Sequence, residues 1–440
     1  MLSVEDAQNS VLGEVMPLAP GVVPFQVALQ QVLAEDVASD LDMPPYDKAL
    51  MDGFAVRTAD LPGGRGELAV VGEIVAGQTP WSSDRSLVAE QAVRIMTGAA
   101  IPPGADAVVM IERTEQLSAV SGQSSVVRID DPRVVSSQNI MRRGAEMTRG
   151  QVVLRAGTRL RPSEIGVLAA VGRASVLVYP RPRVAIISTG NEIVEAHETP
   201  GPGQIRNSNG ATLTALVARA GGAPEYLGIA RDTNDDLRRL VRRGLESDIL
   251  LLSGGVSAGD LDLVPAVLRE LSVREVFHKV NLKPGKPVWF GTAEGRGSRV
   301  EGQEPHPDRR DGVSEPSTLN PQLSSLNSLI FGLPGNPVSV FVCFELFVRP
   351  AIRQLMGVTP AVPQLVTAVL AANKDYRSDR PTYWPAWLEH GDAGYRIRPV
   401  AWQGSPDLRA MTDANAFLFF PPGDHHLRAG DRVQALRMDE

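Results

Sequence analysis

The chain has 440 residues, 43% hydrophobic and 22% charged, which is the balance of a soluble globular protein and too long for one compact core. With 44 Lys and Arg against 51 Asp and Glu the net charge is −7, which speaks against nucleic acid as the main partner, because phosphate backbones need a basic face. No stretch reaches the ~18 consecutive apolar residues of a membrane helix; the most apolar run, Phe341 to Val348, is interrupted by Glu345. The start, Met1-Leu2-Ser3-Val4-Glu5-Asp6, has no basic then apolar leader, so a cytoplasmic location is expected. The single cysteine, Cys343, stands between Val342 and Phe344 and reads as a buried, inert thiol.

Along the chain, residues 21–40 carry a helix-like pattern (Val23, Phe25, Ala28, Leu29, Val32, Leu33) that ends at Pro44-Pro45. From Asp47 to Ile140 short β-rich segments alternate with Gly and Pro turns, and a helical segment returns at Ser163 to Val171. This predicts a split linking domain, 1–47 and 143–180, interrupted by an inserted β-rich domain, 48–142.

Residues 181–355 alternate β and α patterns. Val184-Ala-Ile-Ile-Ser, Asp248-Ile-Leu-Leu-Leu and Ser328-Leu-Ile-Phe-Gly are continuous apolar runs, the mark of strands covered on both faces. Ala211–Ala220, Asn234–Leu245 and Leu263–Leu271 read as helices between them. The expected fold is α/β multidomain: a doubly wound, mostly parallel α/β domain, two small β-rich domains and the split linker. Thr292–Ser328, rich in Gly, Ser, Pro and charge, reads as a disordered loop, with His306 a solvated loop residue. Residues 356–440 return to a β pattern and form the last domain.

Three loops follow strands of the doubly wound domain: Ser188-Thr189-Gly190-Asn191-Glu192, Ser253-Gly254-Gly255-Val256-Ser257-Ala258-Gly259-Asp260-Leu261-Asp262, and Leu333-Pro334-Gly335-Asn336-Pro337-Val338-Ser339. In a parallel sheet such loops share one edge, where ligands bind. Glycines there let backbone N–H groups approach an anion. Each loop alone has an equally good structural reading: Asp262 would cap its helix, and Asn336-Pro337 would be N-cap and first turn. Together they point to a site. Glu192 and Asp262 beside an anion cradle would repel the ligand unless a cation lies between, which suggests Mg2+.

The turn His278-Lys279-Val-Asn-Leu-Lys283-Pro-Gly-Lys286-Pro287 is stiffened by Pro and Gly, where a merely solvated lysine run would need no such frame. Its lysines suit phosphate or a tetrahedral oxyanion. In the β-rich segment, Asp52-Gly53 and Thr97-Gly98 read as tight turns, and no chemistry follows from their spacing. Arg142-Arg143-Gly144-Ala145-Glu146 is basic enough to hold an anion and equally plausible as surface.

The chain resembles the MoeA family of molybdopterin molybdenumtransferases, which includes the E domain of gephyrin. The resemblance runs nearly end to end. It rests on the segments 44–56, 95–109, Ser188–Glu192, 203–209, Ser253–Asp262, Lys283–Pro287 and Leu333–Ser339 in family order. It implies an elongated, four-domain protein acting as a homodimer, with the β-insertion of one chain facing the doubly wound domain of the other. Its substrates would be adenylylated molybdopterin (molybdopterin-AMP) and molybdate, with Mg2+, and its products molybdenum cofactor and AMP. The implied catalytic residues are Asp52, Thr97, Glu192, Asp262, Lys279 and Lys283, with Glu192 and Asp262 on the metal. Pterin nucleotide and phosphates would be held by Thr189, Gly190, Asp232, Ser253, Gly254, Gly255, Ser257, Gly259, Lys286, Pro334, Gly335, Asn336, Ser339 and Ser405. Implied protein partners are the molybdopterin adenylyltransferase and molybdoenzyme chaperones. Two departures stand out: Glu146 where the family has Asp, and no arginine in Thr382-Tyr-Trp-Pro385-Ala where the C-terminal domain usually carries one. Rival readings are adenylyl transfer to molybdopterin, a non-catalytic binding scaffold, and tungstate in place of molybdate.

Overall fold

A computed structural model of the chain describes all residues except 79, 80, 82, 83, 118–124, 257–262, 295–326, 393, 439 and 440. The chain forms two compact units, Met1–Val23, Gln30–Ala34 and Leu177–Glu440 in one, Pro24–Leu29 and Glu35–Val176 in the other. The chain opens with helix α1, Val4–Gly13, capped by the Ser3 hydroxyl, which accepts from the Asp6 N–H at 3.0 Å. Its apolar signal is thin, since only Ala7 and Val11 are buried.

The helix expected over residues 21–40 is absent. Strand Gly21–Pro24, a 3-10 turn at Phe25–Val27 and short strands Val32–Leu33 and Val37–Ala38 stand there instead. The apolar spacing resembles a helix by accident: Gln30 takes a φ of 69°, which breaks any helix, and Val22 and Val27 point to solvent.

The second unit is built on a six-stranded sheet: β1 Gly53–Val56, β2 Arg65–Ile74, β3 Gln91–Ile95, β4 Ala107–Met110, β5 Thr114–Leu117 and β6 Val126–Asp130. Their order is β4-β1-β3-β2-β6-β5, with β2 and β3 parallel and the other pairs antiparallel. The short strands bury one set of residues on each face. Helix α2, Pro162–Ala170, starts at Arg161, whose N–H donates to Glu164 Oε2 at 2.8 Å.

The first unit contains the doubly wound domain. Its strands are β7 Arg183–Thr189, β8 Ala223–Ala230, β9 Ile249–Ser253, β10 Arg274–His278, β11 Trp289–Ala293 and β12 Ser328–Leu333. The sheet order is β8-β7-β9-β12-β11-β10, parallel from β8 to β12 and antiparallel through β11 and β10. Alternate residues serve opposite faces. Val184, Ile186, Ile249, Leu251, Leu329 and Phe331 pack toward α1, α3 (Ser208–Ala220), α6 (Pro337–Cys343) and α7 (Arg349–Leu355). Ala185, Ile187, Leu250, Leu252 and Ile330 pack toward α4 (Asn234–Gly244) and α5 (Val264–Glu270). Both faces are covered, which is why these strands read as unbroken apolar runs. Helix α3 ends at Gly221, φ 98°, and α4 carries Asp235 and Asp236 in its first turn and Arg242 and Arg243 in its last.

The loop expected over Thr292–Ser328 is shorter at its ends, because Thr292 belongs to β11 and Ser328 to β12. The rest of it, 295–326, lies outside the described residues. Between α6 and α7 the helix widens to a π turn over Phe344–Val348. Glu345 is fully buried there, where it pairs with Arg349 at 2.6 Å and with Arg219.

The C-terminal part is a closed barrel of β13 Leu365–Leu370, β15 Thr382–Gly391, β16 Gly394–Pro399, β17 Ala416–Phe420 and β19 Arg432–Arg437, in the order β13-β16-β15-β17-β19. Beside it, β14 Lys374–Ser378 pairs antiparallel with β18 Gly423–Leu427. Among the described residues no helix is long and apolar enough to cross a membrane.

Candidate active site

The three glycine-bearing loops emerge together at the C-terminal edge of the parallel strands, and they are stitched to one another. Gly254 N–H donates to the Leu333 carbonyl at 3.0 Å, and Thr189 Oγ1 donates to the Ser253 carbonyl at 3.4 Å. Asn209, in the first turn of α3, spans two of them: its Nδ2 donates to Ser253 Oγ at 2.9 Å and to the Gly335 carbonyl at 2.7 Å. Asn209 closes the segment 203–209, to which the family resemblance attaches no site role. Two glycines take positive φ at close approaches. A Cβ on Gly254, φ 96°, would lie 2.8 Å from the Thr189 carbonyl oxygen, and one on Gly190, φ 141°, would lie 2.4 Å from Glu192 Oε2.

Glu192 is exposed at this edge, on a loop whose shape is set by its neighbour after β8. Arg231 Nη1 donates to the Ile193 carbonyl at 2.9 Å, and Asn191 and Asp232 exchange backbone-to-side-chain hydrogen bonds at 3.2 Å each. Asp232 therefore locks the loop that carries Glu192. Ser257, Gly259 and Asp262 lie outside the described residues. Among the described residues no group of three His, Cys, Asp or Glu side chains stands close enough to bind a metal. Mg2+ needs only one or two protein carboxylates when phosphate oxygens and water complete its shell, and a single exposed Glu192 beside a glycine edge fits that requirement.

The lysine turn lies next to a pocket of about 390 Å³. Gly285 packs against Cys343, where an added Cβ would come within 2.6 Å of the sulfur. Burial raises that thiol well above its ordinary value, in keeping with an inert role. Lys283 and Lys286 line the pocket together with Pro334, Asn336, Ser339 and Ser405, so six expected residues from three separate segments share one cavity. Asn336 Nδ2 donates to Ser405 Oγ at 2.9 Å, joining the turn after β12 to the loop before β17. Lys279 does not line this cavity; its backbone takes a φ of 72° and its N–H donates to the Val288 carbonyl at 2.9 Å.

The rest of the wall was not foreseen. Arg380, Tyr376, Trp384 and Trp402 also line it, with Leu282, Pro284, Gly285, Pro287 and Gly404 between them. Thr382–Ala386 carries no arginine; Arg380, two residues before strand β15, lines the pocket. Tyr376, Trp384, Trp402 and Phe420 form an aromatic cluster with ring centroids 4.8 to 6.5 Å apart, and Lys374 lies 3.5 Å over Trp384. Desolvation lowers the Lys374 ammonium from its ordinary value.

In the second unit, Asp52 and Thr97 do meet. Thr97 N–H and Oγ1 donate to Asp52 Oδ1 at 2.7 and 2.8 Å. Those bonds, the backbone one foremost, hold the carboxyl below its ordinary value. Glu146 pairs with Lys48 at 3.4 Å, while Arg142 and Arg143 pair with Asp47 and Asp42. This cluster neutralises itself.

Three family models match the chain in order: the MoeA N-terminal region (domain I and II) over residues 2–172, the probable molybdopterin binding domain over 185–354, and the MoeA C-terminal region (domain IV) over 367–438. A molybdopterin molybdenumtransferase of Staphylococcus aureus (strain MRSA252) is 32% identical over 443 residues, covering 99% of this chain and 95% of that protein. One of Bacillus subtilis (strain 168) is 34% identical over 428 residues, covering 95% and 90%. A solved molybdopterin biosynthesis MoeA protein from Pyrococcus horikoshii OT3 superposes with a TM-score of 0.75 at 27% identity, covering 99% of this chain and 100% of that one. With matches across its whole length, in sequence and in fold, this chain belongs to the MoeA family of molybdopterin molybdenumtransferases.

Proposed function

We propose that the protein inserts molybdate into adenylylated molybdopterin and releases AMP, with Mg2+ as the metal. The observation that carries this reading is the pocket where Lys283, Lys286 and Arg380 converge beside the Ser405 hydroxyl. Three cations on an apolar, aromatic wall, offset in part by Asp379 beside Arg380, would make a local anion site in a chain whose net charge is −7. Lysine ammoniums are compact point charges and Arg380 supplies a planar fork, a set that suits a tetrahedral dianion. Molybdate held there would be placed for transfer to the dithiolene, and that placement is the main contribution asked of these residues.

The glycine edge of Thr189, Gly190, Ser253, Gly254, Gly255 and Gly335 would carry the pterin nucleotide and its phosphates, with Asp232 fixing the loop. Glu192, together with Asp262, would hold Mg2+, which supplies Lewis-acid stabilisation of the phosphoanhydride when bound. Ser257 and Gly259 enter this reading from the family resemblance only, as do Lys279 near the oxyanion and the pair Asp52 and Thr97 acting from a second copy of the chain. The homodimer, and any adenylyltransferase or chaperone partner, belong to the same proposal.

The test is AMP release from adenylylated molybdopterin with Mg2+, with and without molybdate, followed by analysis of the pterin product. Molybdate-dependent AMP release with metal-loaded pterin is the expected result. Adenylylated pterin formed from ATP and free molybdopterin, with no such release, would move the protein to the preceding step. Silence in both would leave a binding role.

A further inference from the structure

The start of helix α3 is tied to all three glycine loops. Asn207, its N-cap, accepts through Oδ1 from Gly210 N–H at 3.0 Å and from the Ser188 hydroxyl of the first loop at 3.1 Å. Asn209, two residues on, reaches the second and third loops with one amide nitrogen, which donates to Ser253 Oγ at 2.9 Å and to the Gly335 carbonyl at 2.7 Å. Both amide hydrogens are thereby engaged.

The hydrogen-bonding capacities of these groups fix what Ser253 has left. A carbonyl only accepts, so Gly335 dictates which way the Asn209 amide faces; turned over, the amide oxygen would oppose another acceptor. With Nδ2 facing Ser253, the serine oxygen accepts, and its own proton points elsewhere. Ser253 ends strand β9 where the loops emerge, is 3% exposed, and has no acceptor for that proton among the described residues. The arrangement has a cost: Asn209 Oδ1 is buried and meets no donor among the described residues. A side chain that served packing alone would carry no such cost.

We propose that Asn209 is a positioning residue of the nucleotide edge: by donating to Ser253, it reserves the serine proton for a phosphate oxygen of the nucleotide. An ionised phosphate offers only acceptors along its edge, so a hydroxyl held as a donor suits it, and one already engaged by another acceptor does not. This role rests on the reading of the glycine edge as the nucleotide site given above.

The test measures AMP binding to the full-length protein by calorimetry, with and without Mg2+, in wild type, Ser253→Ala, Asn209→Asp and the double variant. Ser253→Ala in the wild-type background weakens AMP binding by about tenfold or more, the loss of a hydrogen bond to a charged group. Aspartate keeps the shape of asparagine but only accepts, so in Asn209→Asp the serine proton turns to the new carboxylate. AMP affinity falls in that variant too, and removing the Ser253 hydroxyl from it changes affinity by no more than about twofold, because the proton is already withdrawn. Asn209→Ala adds no charge and is measured beside it, which keeps the comparison readable if the aspartate variant fails to fold or binds too weakly. There Ser253→Ala is expected to lose less than in wild type, since nothing holds the hydroxyl as a donor. A tie that only braced the loops would lower the thermal midpoint and leave the Ser253→Ala loss the same size in every background. That result, or wild-type affinity retained in Ser253→Ala, would overturn the positioning role while the nucleotide reading stands. Wild-type protein that binds no AMP would overturn the nucleotide reading and this role with it.

Discussion

The carboxylate of Glu192 folds back over Gly190, so that a Cβ built on Gly190 would lie 2.4 Å from Oε2 and 2.8 Å from the carboxyl carbon. The glycine is therefore a condition for where the carboxylate sits. Because the crowding atoms are the far end of a flexible side chain, a larger residue at 190 acts mainly by sending Glu192 elsewhere.

Gly190→Ala tests this. The φ of 141° adds backbone strain of about 1–2 kcal/mol for alanine, so a modest drop in thermal midpoint is expected. The larger effect falls on metal dependence: the Mg2+ concentration for half-maximal AMP release rises by about tenfold or more, the outcome of losing one of very few carboxylates. A titration superimposable on the wild-type one would show that Glu192 has no part in metal binding.

Arg380→Ala should weaken molybdate binding by about tenfold or more, because a charge-assisted contact is lost from the pocket wall. Arg380 is partly exposed and pairs with the exposed Asp379 at 3.2 Å, a neighbour pair facing solvent. The thermal midpoint is thus expected to move by no more than about 1–2 °C. Arg380→Lys should recover part of the affinity. Calorimetric binding curves unchanged in the alanine variant would remove Arg380 from the site.

Glu345→Gln addresses stability. The carboxylate is fully buried between Arg349, itself 2% exposed, and Arg219. Neutralising it leaves Arg349 charged and buried, at a cost of about 3–5 kcal/mol. The expected outcome is loss of soluble protein or a fall of several degrees in the midpoint of the unit that contains it. A midpoint within a degree of wild type would mean that the carboxylate is not compensating those arginines.

Glu164→Gln gives a pH-dependent result. Arg161, whose side chain and backbone both donate to Glu164, holds that carboxyl at about 2 against an ordinary 4.5. A depressed carboxylate contributes stability that is fully present above the ordinary value and is lost as pH falls toward the folded one. Arg161 is largely exposed, so screening limits the contribution to about 1 kcal/mol at neutral pH. The gap in thermal midpoint between wild type and variant should stay constant from pH 7 to 5, narrow below pH 4.5 and close near pH 2. A gap that does not change with pH would assign the effect to packing.

Much of this was legible in the sequence. The strands at Val184, Ile249 and Leu329 could be read because a sheet covered on both faces demands unbroken apolar residues, and no partner has to be known for that demand to show. The glycine loops were legible for a similar reason, as backbone conformation at Gly190 and Gly254 excludes other side chains locally. Residues 21–40 failed the same reading. Short segments with mixed exposure leave a spacing that fits a helix as well as it fits two brief strands, and Gln30, which breaks the pattern, is not a residue type that announces a positive φ.

What the chain determined alone was local: which runs are buried, where helices start and stop, and which polar residues sit in stiff turns. Only the tertiary structure decided which of these meet. Lys283 and Ser405 are far apart in sequence, and no periodicity joins them; they share a cavity because Pro381 and the start of β15, at Tyr383, dock on the lysine turn. Arg380, Tyr376 and Trp402 join the same wall for that reason, and Lys279, so close in sequence, does not line it. Backbone preference acts over a few residues, whereas a binding pocket depends on side chains converging from distant segments, and that convergence is set by packing.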